Sequence, residues 1–156
     1  MTADPSTGRL IATVNEDAHS SIYLIDPATG TVVHYRNNEP LPSKGGTDAI
    51  SVYDGMVLIS TSAPGAMGKA ARQPSYPAVY RVVFDPTTRT ATISPLFFDE
   101  AQATVADRPG PASGRVEQLA LTDPDSNEDV PSFAPRFAGD FIRFSPREPR
   151  LQSGER

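Results

Sequence analysis

Cysteine is absent from the 156 residues. That excludes disulfides, thiol nucleophiles and thiolate metal sites, and it leaves the redox compartment open. Positive charge is also scarce, with 14 Lys and Arg against 19 Asp and Glu and a formal net charge of −5. Without a basic stripe the chain has no electrostatic footprint for nucleic acid or for an anionic membrane surface. No run approaches the roughly 18 apolar residues of a membrane-spanning helix. The opening MTADPSTGRL lacks a basic n-region and an apolar h-region, so no signal peptide is visible. Helix-compatible sequence is short as well: only FFDEAQATVADR (97–108) could hold a helix, because prolines interrupt the remainder.

What the chain does have is turn residues and short apolar runs. Sixteen Pro and 11 Gly stay below the level of disorder-type composition, and 38% hydrophobic residues suffice for a core. The length suits one domain or a large piece of one. Eight runs read as strands: RLIATV (9–14), SIYLID (21–26), TVVHY (31–35), DAISVY (48–53), MVLIST (56–61), AVYRVVFD (78–85), TATISPLFF (90–98) and VEQLALT (116–122). They are rich in Val, Ile, Thr, Tyr and Phe and bounded by turn residues, which is the strand signature. Consecutive apolar residues at 22–25 and 56–59 predict burial on both faces of those two strands. The fold class is all-β.

Three turns repeat: DPSTG (4–8), DPATG (26–30) and DPTTR (85–89). Asp accepts a backbone N–H, Pro pre-sets φ at the next position, and Gly takes the left-handed conformation that ends the loop. SIYLID-PATG-TVVHY and VYRVVFD-PTTR-TATIS are therefore hairpins, and Arg89 must accept backbone strain or shift its turn. The turn chemistry explains these residues without any catalytic role. Asp4 and Asp26 lie 22 residues apart, about half of a roughly 40–50-residue propeller blade. Asp26 and Asp85 lie 59 apart, one repeat if residues 63–77 are a loop insertion. YDGMVLI (53–59) and FAGDFI (137–142) share an aromatic–x–Gly marker, with Gly55 and Gly139 84 residues apart. Residues 9–35 then supply three strands of one blade, 48–98 a full blade, 99–115 a surface loop, and 116–142 the start of a third.

In this form the chain resembles the bacterial YVTN- and NHL-type β-propeller repeats, whose YxIDPxTGxVV hairpins look like residues 22–33 here. The resemblance spans most of residues 4–98. It implies a partial β-propeller of about two and a half four-stranded antiparallel blades over residues 1–142. Such an arc leaves open blade edges, through which self-association is expected. The turn DPSTG is expected to lack its incoming strand, as if the chain began in mid-repeat. Residues 143–156 carry four Arg and two Pro, with a charge of +2 against −7 for residues 1–142. That tail reads as a disordered terminus or as out-of-frame sequence. Similar bacterial propellers are often exported, which implies a secreted or cell-surface parent.

Two polar clusters could carry chemistry. In TDPDSNED (122–129), Asp123, Asp125 and Asn127 have the alternate-residue spacing of a Ca²⁺ loop, although Glu128 stands at the usual Gly position and Ala134 at the usual bidentate Glu position. The competing reading is an acidic turn whose side chains cap backbone amides. In NEDAHS (15–20), Asn15, Glu16, Asp17 and His19 sit between two strands, with Asp48 able to join them. Metal-dependent propeller lactonases and lyases use such residue types around the central channel. His34 reads as a strand-face residue. SKGG (43–46) lacks phosphate-loop spacing, and SAPGAMG (62–68) lacks the Gly-x-Ser-x-Gly of a nucleophile elbow. Tyr76, Tyr80, Phe97 and Phe98 read as core or inter-blade packing. No residue is assigned a catalytic role. The expected function is a non-enzymatic binding or scaffold module with a protein or small-molecule partner; the alternative is part of a metal-dependent propeller hydrolase or lyase.

Overall fold

The alternating apolar pattern and the Asp-Pro turns produce two four-stranded antiparallel meanders in the computed structural model, which describes residues 1–16, 18–42, 45–62, 77–104, 114–118, 121 and 126–144. The first meander contains β1 (Thr2–Ala3), β2 (Leu10–Val14), β3 (Ser21–Asp26) and β4 (Thr31–Asn37). The second contains β5 (Thr47–Tyr53), β6 (Met56–Thr61), β7 (Pro77–Asp85) and β8 (Thr90–Phe98). Two short hairpins follow: β9 (Gln102–Thr104) with β10 (Val116–Gln118), and β11 (Ser126–Asp129) with β12 (Phe141–Phe144). No α-helix occurs among the described residues. Within 97–108, the stretch expected to hold a helix, the chain forms the end of β8 and then β9, while 105–108 lie outside the described residues.

The three Asp-Pro turns share one geometry. The Asp26 Oδ1 accepts the N–H groups of Ala28 (2.9 Å) and Thr29 (3.2 Å), and Asp85 Oδ1 accepts those of Thr87 (2.8 Å) and Thr88 (3.3 Å). Asp4 Oδ1 accepts the Ser6 N–H at 2.9 Å. Gly8 and Gly30 close their turns at φ 70°, donating to the Asp4 and Asp26 carbonyls at 2.8 Å. Arg89 takes the same left-handed position at φ 58°, so it accepts the strain and keeps the turn. The expectation that DPSTG lacks an incoming strand is corrected: Thr2 and Ala3 pair with Ile11 and Leu10, so the turn joins β1 to β2. The 59-residue spacing of Asp26 and Asp85 has a structural counterpart, because each joins the third and fourth strands of its meander.

The marker shared by YDGMVLI and FAGDFI does not mark equivalent turns. Asp54 (φ 46°) and Gly55 (φ 69°) form a two-residue hairpin turn, whose two positive φ values match the twist of β5 and β6. Gly139 belongs instead to the longer connection between β11 and β12, and the two segments meet face to face. The Tyr53 hydroxyl donates to the Gly139 carbonyl at 3.2 Å, and the Tyr53 and Phe141 rings are 5.3 Å apart. β12 also continues to Phe144, two residues past the boundary expected at 142; residues 145–156 lie outside the described residues.

One eight-stranded sheet results, in the order β1-β2-β3-β4-β8-β7-β6-β5. The two meanders join by a short parallel pairing, Arg36 with Thr90 and Asn37 with Ala91. The Asn38 N–H donates to the Ala91 carbonyl (3.0 Å) and its Oδ1 accepts the Ile93 N–H at 2.8 Å, extending the seam by a side chain. The sheet curls so that β5 lies beside β1 and β2, which makes it nearly closed and barrel-like. Its interior is a single core of Ile11, Ile22, Tyr35, Leu41, Ile50, Ile59, Tyr80, Val82, Ala91 and Ile93, all buried. On β7 and β8 the core residues Tyr80 and Val82, and Ala91 and Ile93, stand two apart, as side chains on one face of a strand must. Tyr35 and Phe84 meet edge to face at 4.9 Å across the two meanders.

The outer face of the second meander is also covered. Leu58, Ser60 and Val79 point away from the core and are at most 1% exposed, and β11 packs against β5. Burial on both faces, expected for 56–59, holds fully at Leu58 and Ile59. In 22–25 only Ile22 is fully buried, while Tyr23, Leu24 and Ile25 are half-buried.

Candidate functional site

Three places concentrate polar or exposed groups, and the first is the seam where the sheet edges meet. The loop 15–20 lies against residues 46–47 and 62. Ser20 Oγ donates to the Asn15 carbonyl (2.6 Å) and accepts the Thr47 N–H (2.7 Å). Ser62 Oγ donates to the Glu16 carbonyl (2.8 Å) and accepts the Gly46 N–H (3.0 Å). Gly46 is buried here, and a Cβ on it would collide with the carbonyl oxygens of Asn15 and Glu16. The structure thus brings the described residues of NEDAHS beside the start of β5. The loop engages through its backbone carbonyls, however, and the Glu16 and His19 side chains are exposed. Asn15 (φ 63°) and His19 (φ 53°) adopt left-handed conformations, and Asn15 Nδ2 reaches the His19 carbonyl at 3.5 Å. Asp17 lies outside the described residues. No group of three His, Asp or Glu placed to hold a metal occurs among the described residues.

The second place is β11. Asn127 from the expected Ca²⁺ set is buried beneath this strand, with Nδ2 at 3.5 Å from Ser60 Oγ on the outer face of β6. Its Oδ1 and the Ser51 Oγ are buried and have no hydrogen-bond partner among the described residues. Asp123 and Asp125 lie outside the described residues. Asn127 therefore faces the sheet from a strand rather than from a loop. His34, expected on a strand face, stacks on Tyr23 with ring centroids 4.7 Å apart.

The third place is a groove at the end of β8. Pro95 removes one ladder N–H from β8, and the β7–β8 register shifts between Pro77 and Tyr80. Beyond that irregularity β8 presents Leu96 (46% exposed) and Phe98 (43% exposed) to solvent. With Phe97, Glu100, Ala101, Gln102 and Gln118 they line a groove of about 590 Å³. Phe98, expected in core or inter-blade packing, is exposed instead, while Phe97 is half-buried. Tyr80 is in the core as expected, and Tyr76 lies outside the described residues. Sequence reading missed the groove because TATISPLFF looks like one uninterrupted strand. Its internal proline was the available signal.

Comparison with known protein-family models, curated proteins and solved structures finds no match. No helix among the described residues is long and apolar enough to cross a membrane.

Proposed function

We propose that this chain is a non-enzymatic binding module assembled from propeller-type repeats, with the β8 groove as its binding surface. The observation that carries this reading is the pairing of exposed apolar side chains, Leu96 and Phe98, with a polar rim of Glu100, Gln102 and Gln118 around one concavity. Apolar walls supply affinity and a few polar groups supply orientation, which is the usual composition of a recognition site. The repeat reading is supported by the two antiparallel meanders of four strands and by the matching positions of the DPATG and DPTTR turns. In this reading the meanders are successive blades that share the short β4–β8 seam.

The test is an amide NMR titration of the intact chain with N-acetyl-phenylalaninamide, a minimal aromatic probe. The expected result is saturable shift changes confined to residues 96–102 and 118, weakened by Leu96→Ser. Changes spread over the whole surface, or none at these residues, refute the assignment.

A further inference from the structure

The curled sheet has two seams, and different chemistry holds each. At the seam between the meanders, Arg36 N–H donates to the Arg89 carbonyl (3.1 Å) and Asn38 N–H to the Ala91 carbonyl (3.0 Å). The Tyr35 and Phe84 rings brace the same seam from the core side. The other seam lies where the sheet order ends, at β1 and at β5, and no strand ladder joins those ends among the described residues. Two side-chain hydrogen bonds cross it instead. The Thr47 N–H donates to Ser20 Oγ at 2.7 Å, and Ser62 Oγ donates to the Glu16 carbonyl at 2.8 Å. Each serine is steadied on its own side, Ser20 by the Asn15 carbonyl and Ser62 by the Gly46 N–H.

Three further features make this seam easy to part. Gly46 meets the Asn15 and Glu16 carbonyls with no Cβ, so no side chain interlocks at that contact. Asn15 (φ 63°) and His19 (φ 53°) are both held in left-handed backbone conformations, whose cost is released when the turn relaxes. The buried Thr47 Oγ1 has no hydrogen-bond partner among the described residues, so the closed state leaves it poorly satisfied. Glu16 is exposed, and its carbonyl regains water as soon as Ser62 lets go. We propose that Asn15, Glu16 and Ser20 form a latch, and that the barrel-like sheet opens and recloses along β5 ahead of every other part of the fold. Opening breaks the two crossing bonds, leaves β5 paired with β6, and uncovers the core at Ile50. The latch is a local opening unit of low stability on an otherwise cooperative sheet. It is independent of the β8 groove.

Native-state hydrogen exchange of the intact chain, read by NMR, tests this. The Thr47 amide is buried and bonded, yet it should exchange at least roughly tenfold faster than the protected amides of β3 and β7, at a rate insensitive to low urea. Ser62→Ala is the decisive variant, because it leaves the acceptor of the Thr47 N–H in place. It should speed Thr47 exchange roughly tenfold, the equivalent of one lost hydrogen bond, and leave β3 and β7 unchanged. The chain has no cysteine, so a single introduced thiol gives a second readout. Ile50→Cys should react with a thiol reagent faster than Ile93→Cys, and adding Ser62→Ala should accelerate only the former. Thr47 exchanging with the rate and urea dependence of β3 and β7 overturns the proposal. So does Ser62→Ala that leaves Thr47 exchange unchanged, or that shifts all amides equally. If Ser62→Ala does not fold, the wild-type exchange pattern and the two thiol variants decide.

Discussion

Gly46→Ala tests how the sheet edges are held together. Gly46 is buried between β5 and the loop 15–16, and an added methyl meets the carbonyl oxygens of Asn15 and Glu16. Those are backbone atoms, so they cannot rotate aside as a flexible side chain could. Relieving the collision requires moving the loop, which stretches the Ser62 Oγ–Glu16 bond of 2.8 Å and the Ser20 Oγ–Thr47 bond of 2.7 Å. Overpacking costs about 1–3 kcal/mol, and each weakened hydrogen bond adds roughly 1 kcal/mol. The expected loss is therefore roughly 3–5 kcal/mol, or a drop in Tm on the order of 10 °C for a domain of this size. Gly30→Ala is the control. Gly30 has open space around it and only a positive φ of 70°, so its cost is about 1 kcal/mol from conformation alone. Thermal melts followed by circular dichroism distinguish the two. If Gly46→Ala melts within about 2 °C of wild type, or no lower than Gly30→Ala, the loop does not close the sheet as described.

Other expectations follow from the turns and the core. Arg89→Gly relieves a left-handed non-glycine residue and should raise stability by about 0.5–1 kcal/mol in urea unfolding; a loss of stability shows that the turn is not strained there. Asp4, Asp26 and Asp85 sit below the ordinary 3.8, held there chiefly by the Thr7 hydroxyl, the Ala28 N–H and the Thr88 hydroxyl respectively. Since their folded values are depressed, the stability they add is complete above the unfolded value and is lost as pH falls through the folded one. Carboxyl NMR titrations should find all three below 3.8, and values at or above it contradict the turn geometry. The Tyr80 phenol is pushed up to about 12 by burial and then by the nearby Glu39 charge. Its raised value makes the fold lose stability as pH rises from about 10, where an unfolded tyrosine ionises, towards 12. Ultraviolet titration should show one of the five tyrosines ionising late, together with alkaline unfolding; five ordinary titrations refute its burial.

How much of this was legible in the sequence depends on how local the cause is. The strands are written in alternating Val, Ile, Tyr and Thr, and their runs coincide with β2 to β8 within a few residues. The Asp-Pro turns are equally local, since the carboxylate reaches N–H groups only two and three residues on. Even the problem at Arg89 was visible, because the chirality of the backbone penalises any side chain there. The two-residue β1 was missed because Thr2 and Ala3 show no alternation to read. The groove was missed because exposure of Phe98 depends on a register shift between β7 and β8, and that shift is a property of the pair of strands.

By itself, then, the sequence determined the all-β class, the strands β2 to β8 and the three turns, because each follows from neighbouring residues acting over a few bonds. Tertiary structure alone decided which meander edges join, that Gly46 is where loop and sheet touch, and that Asn127 turns inward while Phe133 projects. Those outcomes are contacts between residues dozens of positions apart. They come from how one curved sheet of two meanders closes around one core, and no periodicity or spacing along the chain encodes that geometry.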